Sequence, residues 1–402
     1  MKALLFTDVV DSTLLTEQLG DARAAQVWSE HDRHARDLMR AHRAREIDRT
    51  DGFFLLFDDV LDAARYALAY HAALQALALT ARAGLHVGDV ILRDNAADDV
   101  ARGAKPLEVE GIAKPLANRV MALARGGQTL LSHSAQAELA GRVPADVEVL
   151  KHGHYRFAGV EEPIEVFELC APRSNADGHA PPADSAKGYR VVRVDGIWRP
   201  VRDVRHNLPA ERDTFVGRTR ELRDIAAQFG RGARQLTLLG VGGTGKTRLA
   251  CRYGAMALGD WPGGVYFCDL SEARSLDGIY FAVASALEVT LGRTDPAVQL
   301  GHAIAGRGPC LVILDNFEQV QPFARQTIGV WLDRASHASF LVTSRERLHL
   351  AGEHVLPIEP LPLAHEAVEL FAMRATAQKP GFVLDAENRA PVAEIVRLLD
   401  GL

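Results

Sequence analysis

The sequence predicts an α/β protein of two domains, on three observations. Before residue 170 the apolar runs fall in the order β-α-β-β-α-β, between residues 171 and 207 large apolar side chains thin out, and after 207 short β-rich runs alternate with helical stretches. At 402 residues the chain is long enough for about two or three buried cores. Its formal charge of −6 gives no electrostatic reason to expect nucleic acid or an anionic membrane as a direct partner. Cys170, Cys251, Cys268 and Cys310 are far apart and form no C-x-x-C pair, so they read as buried free thiols in a reducing compartment. Asp8 comes too early for the apolar core of a signal peptide. No run approaches the roughly 18 uncharged apolar residues of a membrane helix, so the cytoplasm is the expected location.

In chain order, Ala3 to Phe6 is a short apolar run ending in Thr7-Asp8, and Asp11-Ser12-Thr13 offers N-cap residues to a following helix. Phe53 to Phe57 follows an Asp51-Gly52 turn, which suggests a hairpin. Val60 to Leu79, rich in alanine and leucine, reads as a helix, Arg82 to Leu92 alternates like a strand, and Pro115 to Ala124 reads as helical. That order suggests a sheet with helices packed on one face. From Ala171 to about Asn207 the chain reads as a linker. Its second half carries five arginines around Trp198, as a solvated hairpin or a docking strip. Beyond it, Gln235 to Leu239, Gly264 to Cys268, Cys310 to Leu314 and Phe340 to Thr343 are β-rich runs of the kind that build a parallel sheet with covering helices.

Gly240-Val241-Gly242-Gly243-Thr244-Gly245-Lys246-Thr247 fits G-x-x-x-x-G-K-[ST] between a predicted strand and a predicted helix. The glycines let backbone N–H groups turn onto a phosphate, Lys246 reaches the β/γ-phosphates, and the Thr247 hydroxyl suits magnesium. Asp315, ending the apolar run Leu311 to Leu314, supplies a carboxylate for the same ion. The expected ligand is ATP with magnesium. These motifs resemble the STAND signalling ATPases: Phe215 to Leu222 is similar to their Gly-Arg-x-x-Glu segment, Asp315-Asn316-Phe317-Glu318 to their Walker B segment, and Thr343-Ser344-Arg345 to their sensor arginine. The resemblance spans residues 208 to 402 and implies a parallel-sheet P-loop NTPase fold. That family continues into a winged helix where this chain stops, so a fragment or a truncated product is expected.

Phe6 to Thr13 resembles the opening motif of class III adenylate and guanylate cyclases, and further matches follow in register. These are Thr50-Asp51-Gly52-Phe53, Arg82 to Asp89, Gly111, Ala117 to Met121 and Tyr155 to Val160, spanning residues 3 to 169. The resemblance implies a ferredoxin-like α+β cyclase fold over 1–170 and conversion of a nucleoside triphosphate, ATP before GTP, into cyclic nucleotide and pyrophosphate. It further implies Asp8, Asp51 and the Val9 carbonyl as ligands of magnesium or manganese, Ser12 and Thr13 as phosphate donors, and Arg119 as the residue that neutralises transition-state charge. The family's arginine comes from a partner subunit, so a homodimer is expected. Taken alone, Asp8 and Asp11 read first as capping residues and Asp51-Gly52 as a turn.

Three positions depart from the family pattern, with Ile47 at the purine-reading lysine, Glu108 at the purine-reading aspartate and Pro115 at the ribose-orienting asparagine. Glu46 and Asp48 flank Ile47, but in a regular strand their side chains point to the opposite face. A polar insertion, Arg93 to Leu107, lies beside the expected site. Two functions stay open, a cyclase governed by an ATP-switched module and a cyclase-like domain that only dimerises or senses nucleotide.

Overall fold

Phe53 to Phe57 is buried at every position, as is the run Ala3 to Leu5, and strands of that kind need cover on both faces. The computed structural model describes residues 1–402 except 146, 171–180, 195, 212, 293–294, 364–365, 380, 386 and 400–402. The chain divides into two units, Met1–Val192 with Trp198–Pro200, and Arg193–Ile197 with Val201–Leu402.

The first unit runs β1 (Lys2–Val9), α1 (Ser12–Leu19), α2 (Asp21–Ala41), β2 (Arg45–Arg49), β3 (Phe53–Phe57), α3 (Val60–Gln75), β4 (Ala81–Gly88), β5 (Ile91–Asp94), α4 (Ala97–Ala101), β6 (Leu107–Glu110) and α5 (Ala113–Leu123). It continues through β7 (Thr129–Ser132), α6 (His133–Leu139), β8 (Glu148–Phe157), β9 (Ile164–Cys170), β10 (Gly188–Val194) and β11 (Ile197–Pro200). Among the described residues nine strands form one sheet in the order β11-β10-β8-β9-β7-β4-β1-β3-β2, and β5 and β6 form a separate ribbon.

Successive residues of a strand face opposite sides. Ala3, Leu5, Phe53 and Leu55 pack with Ala63, Tyr66, Ala67 and Tyr70 of α3, whereas Leu4, Phe54 and Leu56 pack with Ala113 and Ala117 of α5. The one-face arrangement expected from element order is therefore corrected, because the central strands are apolar at consecutive positions and helices cover both sides. The expected strand Arg82 to Leu92 is also two: β4 ends at Gly88 and β5 turns away to pair with β6, Ile91 opposite Glu110. Gly84 lets α5 sit directly on β4, since a Cβ there would lie 2.2 Å from the Met121 amide nitrogen. Within the stretch read as linker, β10 pairs antiparallel with β8, Gly188 opposite Phe157. Residues 171–180 lie outside the described residues.

The second unit contains α7 (Thr219–Gly230), β12 (Gln235–Leu239), α8 (Lys246–Met256), β13 (Val265–Asp269), α9 (Leu276–Ala286), α10 (Pro296–Ala305) and β14 (Cys310–Asp315). A 3-10 stretch, Phe317–Gln326, leads to α11 (Ile328–Arg334), β15 (Ala338–Ser344), β16 (His354–Pro357), α12 (Glu366–Gln378) and α13 (Arg389–Leu398). Its sheet, in the order β13-β14-β15-β12-β16, is parallel at every pairing. Leu311 and Ile313 pack with α7 and α8, while Val312 and Leu314 pack with α9, α10 and α11. This two-sided burial is what the unbroken apolar run of β14 requires. The four cysteines are buried and, among the described residues, none forms a disulfide. Among the described residues, no helix is long and apolar enough to cross a membrane.

Candidate functional site

In the first unit the expected residues converge at the end of β1. Gly52 sits so close to that strand that a Cβ would lie 2.0 Å from the Thr7 carbonyl oxygen. The Phe53 amide donates to Thr7 Oγ1 at 2.9 Å, clamping the β2–β3 tip in place. Asp51 on the tip thereby lines the same cavity of about 530 Å³ as Asp8, Val9, Ser12 and Thr13. Ser12 Oγ donates to Asp51 Oδ2 at 2.8 Å at the start of α1. Asp8 lies opposite Arg82 in the β1–β4 ladder, and the Arg82 guanidinium donates to its Oδ2 through Nε at 2.9 Å and Nη2 at 2.7 Å. Among the described residues no three His, Cys, Asp or Glu side chains gather as a metal cluster. The candidate ligand set is smaller than such a cluster: two carboxylates and the Val9 carbonyl, all bordering one cavity. Gly52→Ala is expected to destabilise the fold by about 1–3 kcal/mol, because the tip has to lift off β1. Calorimetry should read this as a fall of roughly 2–4 °C in melting temperature per kcal/mol, and an unchanged midpoint would show that the tip is not clamped.

The other expected residues divide. Arg119 lines neither this cavity nor its neighbour. Its guanidinium lies by the Gly159 turn, Nη2 3.6 Å from where a Cβ would stand, and its buried Nη1 has no hydrogen-bond partner among the described residues. Ile47 is buried in the apolar cluster with Phe54, Leu107 and Ala117. Glu108 lies in the β5–β6 ribbon opposite Arg93. Pro115 falls in the first turn of α5, where its missing N–H removes no helical hydrogen bond, and it borders the second cavity with Asn118.

Sequence reasoning missed a buried polar chain behind the tip. His31 Nε2 meets the Tyr70 hydroxyl at 2.7 Å and its Nδ1 meets Asp32 at 3.2 Å. Arg49 completes the chain by pairing with Asp32 at 2.8 Å. Burial lowers the His31 pKa, against the opposing pull of Asp32. These residues carry no motif; only the packing of α2 against α3 and β2 joins them.

In the second unit the glycine-rich loop joins β12 to α8. Gly243 and Gly245 take positive φ of 88° and 82°, conformations that glycine adopts without steric cost. A Cβ on Gly240 would lie 2.5 Å from the Ile358 carbonyl oxygen, and one on Gly242 would lie 3.1 Å from Arg345 Nη2. Lys246 folds back, its ammonium donating at 2.8 Å to both the Gly240 and Val241 carbonyls. Burial lowers its pKa, with Arg345 acting in the same sense and Glu318 and Asp315 against it. Asp315, at the end of β14, accepts from Thr247 Oγ1 at 2.8 Å, Thr343 Oγ1 at 2.5 Å and Asn316 Nδ2 at 3.1 Å. Burial nonetheless raises its pKa. Thr244 Oγ1 donates to the Val241 carbonyl at 3.0 Å, which braces the loop. Arg345 pairs with Glu318 at 3.1 Å. Arg218, buried at positive φ, donates to the Thr244 carbonyl at 3.0 Å and the Glu359 carbonyl at 2.6 Å, so the segment before α7 is tied directly to the loop.

No family model matches the chain. It is similar to an uncharacterized protein of Mycobacterium bovis, 31% identical over 215 residues that make up 54% of this chain and 53% of that one. A second protein of that organism, provisionally named an HTH-type transcriptional regulator, is 34% identical over 172 residues, 42% of this chain and 19% of its own length. Among solved structures, the chain is similar to adenylate cyclases from Trypanosoma brucei in their monomeric state, with 20% identity and a TM-score of 0.38 over 43% of this chain and 89% of that one. The chain spans about half the length of the first of these relatives and about a fifth of the second.

Proposed function

We propose that the first unit is a class III nucleotide cyclase domain, which closes a nucleoside triphosphate to a 3′,5′-cyclic nucleotide with release of pyrophosphate. The observation that carries this is the Gly52 contact, because it brings Asp51 to the end of β1 and sets two carboxylates on one cavity beside the Ser12 and Thr13 hydroxyls. The ordered motifs from Phe6 to Val160 support the same reading. Asp8, Asp51 and the Val9 carbonyl would hold magnesium or manganese, which supplies charge neutralisation and a more acidic ribose hydroxyl. Ser12, Thr13 and the first amides of α1 donate to the phosphates. Arg82 keeps the Asp8 carboxylate turned toward the cavity. Arg119, from a second copy of the chain, neutralises charge as the bond to pyrophosphate breaks.

In the second unit the proposed ligand is ATP with magnesium. The backbone of Gly240, Gly242, Gly243, Thr244 and Gly245 cradles the phosphates, Thr247 and Asp315 hold the ion, and Arg345 senses the terminal phosphate. Lys246 would exchange two carbonyl partners for phosphate oxygens. The combined reading is a signalling protein whose cyclase is governed by a STAND-type switch. A second reading, a nucleotide-sensing or dimerising domain without turnover, draws on one observation: Arg82 and Ser12 already satisfy Asp8 and Asp51. Incubation of the full chain with ATP or GTP and manganese or magnesium separates the two. Cyclic nucleotide from the parent and none from Asp8→Ala or Asp51→Ala is the expected result, and absence of product under all four conditions favours the second reading.

A further inference from the structure

Residues 181–188 belong to the stretch read from sequence as a linker, yet they fold back on the first unit, with Pro182 and Gly188 buried. Two features of that unit receive them. The last carbonyls of a helix such as α5 have no partner within it, and β8 would be an edge strand without β10.

The Ala183 amide donates to the Leu123 carbonyl at 2.9 Å, at the end of α5. Just beyond that helix, Arg125 Nε donates to the Pro181 carbonyl at 3.0 Å. From β8 the Tyr155 hydroxyl donates to the Pro182 carbonyl at 3.4 Å. The chain then turns, the Ser185 amide donating to the Gly188 carbonyl at 2.8 Å, and returns as β10 along β8. Within the turn, the Lys187 carbonyl accepts from the Ala158 amide at 3.0 Å, and the Lys187 ammonium reaches Asn118 Oδ1 at 3.5 Å. Gly188 lies flat on β8: a Cβ there would stand 3.0 Å from Phe157 Cδ1 and 3.2 Å from the Arg156 carbonyl oxygen.

These contacts frame Arg119 from two sides. On α5 they hold Asn118, the residue before it, and Leu123, one turn after it. On β8 they hold Ala158, the residue before Gly159, beside which the guanidinium lies. Val120 and Leu123 of the helix share an apolar cluster with Tyr155 and Phe157 of the strand, so both sides belong to one packed wall. The buried Nη1 of Arg119 has no hydrogen-bond partner among the described residues, so no bond at that nitrogen fixes the guanidinium. Its direction is set by the backbone on either side.

We propose that residues 181–188 are a clasp that positions Arg119, so that the part of the chain needed for turnover runs past residue 170. The inference rests on the cyclase reading above, in which Arg119 neutralises charge as pyrophosphate leaves. Displacing such a group by about 1 Å costs on the order of 10²-fold in rate. The loss falls on turnover, because nucleotide binding is left to Ser12, Thr13 and the metal ligands.

The test is a double-mutant cycle on the full chain, reading cyclic nucleotide formed from ATP and from GTP in manganese. Ala183→Pro removes the amide that holds Leu123. It is expected to lower kcat by about 10- to 100-fold while KM changes by less than about threefold. With Arg119→Ala already present, it should lower kcat by no more than about twofold further, since there is then no guanidinium to misplace. If thermal melting shows that Ala183→Pro does not fold, Arg125→Ala combined with Lys187→Ala decides, because both side chains are exposed. That pair is expected to lower kcat by about 3- to 10-fold, again only where Arg119 is present. An unchanged kcat in the deciding variant, or a loss that multiplies with that of Arg119→Ala, overturns the clasp and leaves the cyclase reading standing. A parent chain that forms no cyclic nucleotide overturns both.

Discussion

An equimolar mixture of Asp8→Ala and Arg119→Ala chains is expected to form cyclic nucleotide far faster than either chain does alone. The expectation follows from a separation seen within one chain: Asp8 and Asp51 line one cavity, whereas Arg119 lines neither cavity and lies by Gly159 with a buried, unpartnered Nη1. On the proposed reading, that guanidinium would serve the carboxylates of another copy. Removing a group that stabilises transition-state charge costs about 10²- to 10³-fold in turnover, so Arg119→Ala alone should fall by that much with a small change in KM. Random exchange makes half of the dimers mixed, each with one intact site of two, so roughly a quarter of parental activity should return. An active parent with no recovery in the mixture would mean that the site is completed within one chain. Sedimentation of the same mixtures tells whether failed recovery reflects failed association.

Lys246→Ala is expected to remove most nucleotide binding by the second unit. The Lys246 side chain is buried and its ammonium donates to two carbonyls of the loop, so it already sits at the point where the loop turns inward. Truncating one partner of a buried, charge-assisted hydrogen bond costs about 2–5 kcal/mol, a roughly 30- to several-thousand-fold loss of affinity. Calorimetric titration of ADP with magnesium into the full chain reads that loss, and ADP has no part in cyclisation. Thr247→Ala should weaken binding in magnesium but much less in its absence, since the hydroxyl faces Asp315 rather than the loop. Unchanged affinity in Lys246→Ala would remove the loop from the reading altogether.

The sequence by itself determined the parts that depend on local chemistry. The continuous apolar run of β14 could be satisfied only as an inner strand of a covered sheet, and the spacing from Gly240 to Thr247 places a lysine and a hydroxyl at the start of a helix whatever surrounds them. Asp51-Gly52 was legible as a turn because both residue types favour turns. Tertiary structure decided the rest, because it depends on which strand lies beside which. That Gly52 touches Thr7, so that Asp51 and Asp8 share a cavity, follows from β3 pairing with β1 across more than forty residues of chain. The link from Asp32 through His31 to Tyr70 needs α2 and α3 packed together. The placement of Asp48 turned on one unpaired residue in the β2–β3 ladder: side chains alternate with a period of two, so an inserted residue reverses the face of everything after it, and no pattern within Arg45 to Arg49 records where the partner strand absorbs it.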